Sequence, residues 1–280
     1  MASIIAAAVQ LNSQPDLKVS MEQAFLAVEE SARQGAHLIT LPENFAFLGH
    51  EKEKQQQAEQ ISQTVTEKVP EWAKQFGVTI LAGGFPVRAE SGKVYNRAML
   101  VDSSGRIVSV YDKIHLFDVS LSDEETYRES DTVEAGNPEP VTGNIALPDQ
   151  LNNGGKSSLK IGLSICYDLR FPELYRRLAE KGADILTVPS AFTKPTGRAH
   201  WEILLRARAI ENTCFVIAPA QTGKHGPTRK TYGHSVIIDP WGTVLSDAGR
   251  EPGIVMSEIN LDVIQTVRSK LPSLSHRILK

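Results

Sequence analysis

Three residues with reactive side chains each follow a predicted buried strand of this 280-residue chain. Glu43 comes after the apolar run 37–41, Lys113 after the run 106–111, and Cys166 after the run 159–165. A thiol is a strong nucleophile only as a thiolate, so it needs a base or a cation beside it. A carboxylate can act as that base, and a lysine can stabilise a developing oxyanion. Together the three residue types would suit attack by a cysteine on a carbonyl carbon.

Each of these residues also has an ordinary structural interpretation. A lone buried cysteine is often a small core residue, a lysine near a hairpin is usually solvated, and a Pro–Glu pair often opens a turn. The spacing alone therefore leaves both interpretations open. Most familiar cysteine hydrolases use histidine as the base. The seven histidines of this chain form no recognisable Cys/His signature, so a papain-like site has no support in the sequence.

The elements that position these residues alternate between strands and helices. The apolar run 4–11 predicts a strand, and the run 37–41 predicts a second strand. Between them, apolar residues within 17–32 recur at the spacing of a helix, and Asp16 can cap its start. Such a β-α-β unit requires a parallel sheet at that point. A similar alternation runs from 159 to 218, whereas 116–137 is acidic and predicts an irregular loop. The chain therefore reads as an α/β fold, in which ligands gather at the carboxyl ends of strands.

The composition excludes several classes of protein. Thirty Lys and Arg residues against 33 Asp and Glu give a net charge of −3, which disfavours a nucleic-acid-binding surface. The two cysteines cannot form a disulfide framework and fit a reducing compartment. No apolar run approaches the roughly 18 residues of a membrane span, and the apolar start lacks basic residues before it. We therefore expect a cytoplasmic protein without a membrane or nucleic-acid partner.

Three segments carry a resemblance to a known family. Residues 41–43 (Leu-Pro-Glu), 111–118 (Tyr-Asp-Lys-Ile-His-Leu-Phe-Asp) and 165–173 (Ile-Cys-Tyr-Asp-Leu-Arg-Phe-Pro-Glu) resemble the signature segments of the nitrilase superfamily of carbon–nitrogen hydrolases. They occur in the family's order, and the resemblance covers essentially the whole chain. It implies a four-layer α-β-β-α sandwich, formed here by a single domain over 1–280 with a C-terminal extension from about 261 to 280. It also implies a homodimer, and we expect the extension to dock across its two-fold interface.

The resemblance also assigns residues. It implies a catalytic triad of Glu43, Lys113 and Cys166, and it places a second glutamate of the family at Glu129. The backbone N–H of Tyr167, which follows the nucleophile, is expected to help bind the oxyanion. No cofactor is implied, and no Cys or His pair has the spacing of metal ligands, so no metal is expected.

Further segments narrow the expected substrate to a small amide that carries a carboxylate. Residues 190–193 and 199–211 resemble the Nit branch, and 220–225 is most similar to members that hydrolyse deaminated glutathione to α-ketoglutarate and cysteinylglycine. Action on α-ketoglutaramate is the alternative. Arg170 is the candidate for binding the substrate carboxylate, although a structural ion pair is equally compatible. Phe192 and Thr193 are expected to line the pocket.

Two further points stay open at the level of sequence. A non-catalytic binding or scaffold protein could keep such a site as a relic, although an intact Glu-Lys-Cys set argues against this. The segment 148–158 is longer than expected for the branch and is predicted to lie on the surface.

Overall fold

Two six-stranded sheets form the centre of the computed structural model, which describes residues 3–120, 126–147, 157–226 and 229–279. The strands in chain order are β1 (Ser3–Gln10), β2 (Leu38–Thr40), β3 (Thr79–Arg88), β4 (Val94–Val101), β5 (Ile107–Asp112), β6 (Asp118–Ser120), β7 (Thr126–Arg128), β8 (Thr142–Ala146), β9 (Ser158–Leu163), β10 (Ile185–Thr187), β11 (Phe215–Ala218), β12 (Thr222–His225), β13 (Arg229–Tyr232), β14 (Val236–Ile238), β15 (Val244–Asp247) and β16 (Gly253–Asn260). The first sheet has the order β16-β1-β2-β3-β4-β5, and the second has the order β15-β14-β11-β10-β9-β8. Strands β1, β2 and β3 are parallel, as are β9, β10 and β11. The predicted β-α-β units are therefore present in both halves.

Four helices cover the outer faces of the two sheets: α1 (Leu17–Arg33) and α3 (Ala58–Phe76) on the first, and α4 (Pro172–Glu180) and α5 (Lys194–Asn212) on the second. Two further helices are α2 (Glu51–Gln56) and α6 (Leu261–Lys270). The Asp16 side chain caps α1 by accepting a hydrogen bond from the Val19 N–H at 3.0 Å, as expected. Helix α5 begins at Lys194, and its first turn contains a proline, whose backbone is already set for a helix start.

The alternation of side chains along β1 shows how the layers are built. Ala6 and Ala8 belong to the core cluster that the two sheets share, whereas Ala7 and Val9 pack with residues of α1 and α3. Successive residues of a strand point to opposite faces, so β1 has a sheet on one side and helices on the other. Helices α4 and α5 contribute to the shared cluster from the other side of the second sheet. This is the predicted four-layer α-β-β-α sandwich.

Several elements differ from the sequence-based expectation. The region 116–137 is not an irregular loop throughout, because β6 and β7 pair in it and a short 3₁₀ helix follows at Glu129–Asp131. Strands β8, β12 and β13 were not predicted, since they are short and contain few apolar residues. The polar segment 51–76 forms two helices, α2 and α3, that meet at Gln57.

The first part of the C-terminal extension belongs to the core of its own chain. Helix α6 buries Leu261, Ile264 and Val267, and its Arg268 donates to the Thr213 hydroxyl at 3.0 Å. Farther along, Arg277 pairs with Glu180.

Most of the segment 148–158 lies outside the described residues, so its position on the surface stays a prediction. None of the helices among the described residues combines the length and apolar character needed to cross a membrane.

Candidate active site

Cys166 lies at the carboxyl end of β9, where the chain turns sharply into a 3₁₀ helix over Cys166–Arg170. Its φ angle is 48°, in the left-handed region that is uncommon for residues other than glycine. Two hydrogen bonds hold the turn: the Cys166 N–H donates to the Pro189 carbonyl at 3.0 Å, and the Ile165 N–H donates to the Asp168 carboxylate at 2.8 Å. A backbone conformation of this kind persists only when its surroundings enforce it, and it is common at functional sites.

Glu43 follows β2 and is contacted by groups from both sheets. Its Oε1 accepts hydrogen bonds from Asn96 Nδ2 at 2.9 Å and from Lys113 Nζ at 3.3 Å, and its Oε2 accepts from the Ala191 N–H at 2.9 Å. The Cys166 thiol also hydrogen-bonds to this carboxylate. One buried carboxylate therefore contacts both the nucleophile and the ammonium group that the sequence selected.

The Lys113 ammonium lies between two carboxylates. Besides its contact with Glu43, its Nζ is 3.0 Å and 2.8 Å from the two oxygens of Glu129. Glu129 is itself held by the Phe117 N–H at 2.7 Å and by Asn96 at 3.3 Å. Glu129 is therefore joined to the cluster with Glu43 and Lys113, whereas the hydrogen bonds of the nearby Glu134 lie outside this cluster.

The charges of this cluster determine its resting protonation. Burial would raise the pKa of Glu43, but the positive charges of Lys113 and Arg229 hold this pKa below its ordinary value. Burial would lower the pKa of Lys113, but Glu129 and Glu43 raise it well above its ordinary value. Burial and then the charge of Glu43 raise the pKa of the Cys166 thiol. The resting site therefore contains a carboxylate, an ammonium and a neutral thiol.

A pocket opens over these residues and has more cationic than acidic side chains in its wall. The cationic residues are Lys54, Lys113, Arg128, Arg170 and Arg229, and the acidic residues are Glu43, Glu51 and Glu129. The protein as a whole has a net charge of −3. The concentration of positive charge in this pocket favours a substrate with a negatively charged group.

The four residues predicted to bind substrate all line this pocket: Tyr167, Arg170, Phe192 and Thr193. The Arg170 guanidinium lies 5.7 Å from the centre of the Tyr167 ring and 5.5 Å from that of Phe192. Its Nη1 is 3.3 Å from Nδ1 of His200. Among the described residues Arg170 forms no ion pair, so the structural alternative considered for it has no support there.

Sequence reasoning missed several residues of the site. Asn96 on β4 contacts both Glu43 and Glu129, and the pocket also contains Glu51, Lys54 and Arg229. In the sequence, Glu51 and Lys54 look like part of a solvated helix, and Arg229 lies in a polar stretch. No local signal separates such residues from ordinary surface charges.

Two adjacent glycines provide the space in which Glu43 and Asn96 meet. A Cβ atom at Gly83 would lie 2.3 Å from the Leu41 carbonyl oxygen, and one at Gly84 would lie 2.1 Å from Asn96 Oδ1. The Gly84 carbonyl also accepts a hydrogen bond from the Asn44 N–H at 2.6 Å. The glycine pair therefore permits the close approach of β3 to the segment that carries Glu43.

An α-β-β-α sandwich with a buried cysteine, carboxylate and ammonium in one pocket matches the class of hydrolases that the three signature segments resemble. A family model described as carbon–nitrogen hydrolase matches residues 5–269. A protein named deaminated glutathione amidase from Synechocystis sp. (strain PCC 6803 / GT-S) is 52% identical over 277 residues, which cover 98% of each chain. The chain therefore belongs to the carbon–nitrogen hydrolase family, within the nitrilase superfamily, as its three signature segments predicted.

Solved structures agree with this assignment. The Caenorhabditis elegans NitFhit protein has a TM-score of 0.88 and 36% identity, over 99% of this chain and 66% of that longer chain. Saccharomyces cerevisiae Nit3, described as a member of branch 10 of the nitrilase superfamily, has a TM-score of 0.83 and 28% identity, over 97% of this chain and 95% of its own.

Proposed function

We propose that this protein is an amidase that hydrolyses deaminated glutathione to α-ketoglutarate and cysteinylglycine. The observation that carries the proposal is the Glu43 carboxylate, which hydrogen-bonds to the Cys166 thiol and to the Lys113 ammonium, 3.3 Å away, in a pocket rich in cations. The relative named deaminated glutathione amidase, at 52% identity, supports this choice of substrate.

In the first step, Glu43 takes the proton of the Cys166 thiol as the sulfur attacks the amide carbonyl carbon. Negative charge then develops on the carbonyl oxygen, and the Lys113 ammonium and the Tyr167 N–H stabilise it. Tyr167 is suited to this role because its N–H lies in the first turn of the 3₁₀ helix, where a helix offers no acceptor of its own.

In the second step, the carbon–nitrogen bond breaks. Glu43 returns its proton to the departing amine, and the acyl group stays on Cys166 as a thioester. Water then attacks the thioester while Glu43 takes a proton from it, and the released thiolate recovers a proton, which restores the resting site. Glu129 acts as a positioning residue, because its two oxygens hold Lys113 Nζ at 3.0 Å and 2.8 Å.

A side-by-side assay of the purified protein tests the substrate. The amides are deaminated glutathione, α-ketoglutaramate and N-carbamoyl-β-alanine, together with a simple nitrile. We expect the highest kcat/KM on deaminated glutathione and no turnover by the Cys166→Ala variant. A higher kcat/KM on α-ketoglutaramate would contradict the proposed substrate and favour an ω-amidase. Absence of turnover on all four, with no unusually reactive cysteine on thiol labelling, would indicate a relic site.

We propose further that the protein is a homodimer of the cytoplasm. Both cysteines are free, which suits a reducing compartment. Beyond α6 the chain carries three exposed apolar side chains, Leu271, Ile278 and Leu279, with 46%, 92% and 86% exposure. Two-fold dimers are the commonest soluble homo-oligomers, and this apolar tail supports an interface that includes it.

Truncation tests the assembly. A chain that ends after Leu261 would lose the buried Ile264 and Val267, so its failure could reflect an unstable monomer. Truncation after Lys270 removes only the exposed tail. We expect this shorter protein to elute and scatter light as a monomer. A stable dimer of unchanged activity would contradict the predicted role of the tail.

A further inference from the structure

A second charged cluster lines the same pocket, and the mechanism described above gives it no contact with the substrate. The Glu51 carboxylate lies between two cations: its Oε1 is 3.2 Å from Arg229 Nη1, and its Oε2 is 2.6 Å from Lys54 Nζ. Lys54 also donates to Asn44 Oδ1 at 3.3 Å. Only 5% of the Lys54 side chain and 20% of the Arg229 side chain are exposed. One carboxylate against two cations leaves a net positive charge in a nearly buried place.

The cluster has an unused donor. Nε of Arg229 is buried and has no hydrogen-bond partner among the described residues. A buried donor without an acceptor costs free energy, so such groups in native proteins are normally met by a partner. Arg229 also lines the substrate pocket, so its guanidinium can bind an acceptor group of a ligand there. A carboxylate can accept from two N–H groups of a guanidinium at once.

The segment that the sequence analysis singled out at 220–225 positions this arginine. In the β12–β13 hairpin Arg229 pairs directly with His225. The His225 ring is held on both nitrogens, by the Ser13 carbonyl at 2.7 Å and by the Thr231 hydroxyl at 2.7 Å. Gln221, at the start of the hairpin, donates to the main-chain carbonyl of Glu43 at 3.1 Å. The hairpin is therefore anchored to the backbone of the catalytic base, which sets the place of Arg229 relative to the reaction.

The pocket thus has two cationic regions that differ in burial. Lys54 is buried and the Arg229 beside it is half-buried, whereas Arg128 is exposed and the half-buried Arg170 reaches the exposed His200. A thioester mechanism imposes different requirements on the two halves of an amide substrate. The acyl half stays bound while water replaces the amine, and the amine half must leave through the open side. The buried region suits the half that stays.

We propose that Lys54 and Arg229, held in place by Glu51, bind the carboxylate of the acyl half of the substrate. The substrate class is then the amides of dicarboxylic acids, and this inference rests on the proposed amidase function. Under this proposal Lys54 and Arg229, rather than Arg170, bind that carboxylate. Arg170 is left to contact the amine half near the mouth of the pocket.

Protection of Cys166 from iodoacetamide tests the proposal without requiring turnover. The two protecting ligands are glutarate and valerate, which differ in that a methyl group replaces one carboxylate. Mass spectrometry of the Cys166 peptide gives the half-protecting concentration of each. We expect glutarate to protect the parent protein at a concentration roughly 10 to 100 times lower than valerate, the range of one hydrogen bond to a charged group.

The Arg229→Gln variant should lose most of this preference for glutarate. Lys230→Gln is the matched control, since it removes an exposed cation from the next position of the same strand and should keep the preference. If Arg229→Gln does not fold, the Lys54→Met variant provides the same test and should also lose most of the preference for glutarate. Arg170→Gln should keep the preference for glutarate.

A parent protein without a preference for glutarate would overturn the proposal, as would an Arg229→Gln variant that retains it. These outcomes differ from failure of the proposed function. Lack of turnover on deaminated glutathione would contradict the substrate, but it would leave the measured preference between the two acids in place.

Discussion

Tyr111 donates its hydroxyl to the Asp168 carboxylate at 2.7 Å and so joins the strand before Lys113 to the turn that begins at Cys166. Asp168 is fully buried, and its other contacts include the Ile165 N–H at 2.8 Å. The two segments come from different sheets and are far apart in the chain. A single carboxylate thus links the segments that carry Cys166 and Lys113.

Asp168→Asn is expected to lower both stability and activity. The amide has one acceptor oxygen where the carboxylate has two, so at least one of its donors, which include His115 and Tyr111, loses its partner. An unsatisfied buried group costs about 1–3 kcal/mol. Urea unfolding should show this loss, and the rate of Cys166 alkylation should fall. Tyr111→Phe removes only one of the bonds and should have the smaller effect. A normal alkylation rate in Asp168→Asn would contradict this positioning role.

The two cysteines should differ completely in their effect on turnover. Cys166→Ala is expected to abolish amide hydrolysis and to leave the fold intact, because the thiol is the covalent centre. Cys214 is fully buried, and its thiol lies 3.1 Å from the carbonyl oxygens of Ala183 and Asn212. Cys214→Ala should therefore keep its activity and serve as the matched control. Near-normal turnover by Cys166→Ala would show that the mechanism is wrong.

Lys113→Met should reduce kcat by about 10²–10³, the loss typical of one oxyanion donor. The substitution also leaves the buried carboxylates of Glu43 and Glu129 without their shared cation, which should destabilise the protein by roughly 3–5 kcal/mol. Steady-state rates measured well below the melting temperature separate the two effects. A decrease in kcat of less than about tenfold would indicate that Lys113 has only a structural role.

Glu43→Gln should slow alkylation of Cys166 at neutral pH, because the variant retains the shape of the side chain but cannot take the thiol proton. We expect this loss to outweigh the lower thiol pKa that follows from removing the Glu43 charge. Glu51→Gln is the control, since it removes an acid from the same pocket that does not contact Cys166. Iodoacetamide labelling followed by mass spectrometry gives both rates. If Glu43→Gln and the parent react equally fast, another base must act, and His115, which is 2.7 Å from Asp168, is the first to test.

The pH dependence should identify Arg229 as one source of the low pKa of Glu43. Glu43 acts as a base only when ionised, so activity is lost as the pH falls through its folded-state pKa, which lies below the ordinary value. Arg229→Gln removes a positive charge, so it should raise this pKa and move the acid limb of kcat/KM for a neutral amide to higher pH. Lys230→Gln should leave the limb in place. An unshifted limb in Arg229→Gln would mean that the arginine does not act on Glu43.

The stability of the protein at low pH should depend on the lowered pKa of Glu51. The pKa of Glu51 is lowered from 4.5 to about 2: burial would raise it, and the charges of Lys54 and Arg229 outweigh that effect. A depressed folded-state pKa adds stability above the ordinary value, and this stability is lost as the pH falls toward 2. Glu51→Gln should therefore flatten the decrease of the urea midpoint below about pH 4.5. An unchanged pH dependence would contradict the assignment.

Strand periodicity placed Glu43, Lys113 and Cys166 directly after predicted buried strands, because that pattern depends on a few neighbouring residues. Their assignment as a triad came from the family resemblance, since the spacing alone also allowed ordinary structural roles. The choice of Glu129 among nearby glutamates came from the family resemblance, and the contacts of its side chain with Lys113 are consistent with it. The polar strands β12 and β13 could not be predicted, since their hairpin lacks an apolar pattern.

By itself, the sequence determined the α/β class, the family and the positions of the three reactive residues. The tertiary structure decided which of the remaining charged residues are buried together and which face solvent. Arg229 and Glu51 are 178 positions apart in the chain, and nothing local distinguishes either from a surface charge. Burial depends on packing between distant segments: here the anchored β12–β13 hairpin lies against the start of α2, and only that packing brings a cationic region into the pocket beside the catalytic base.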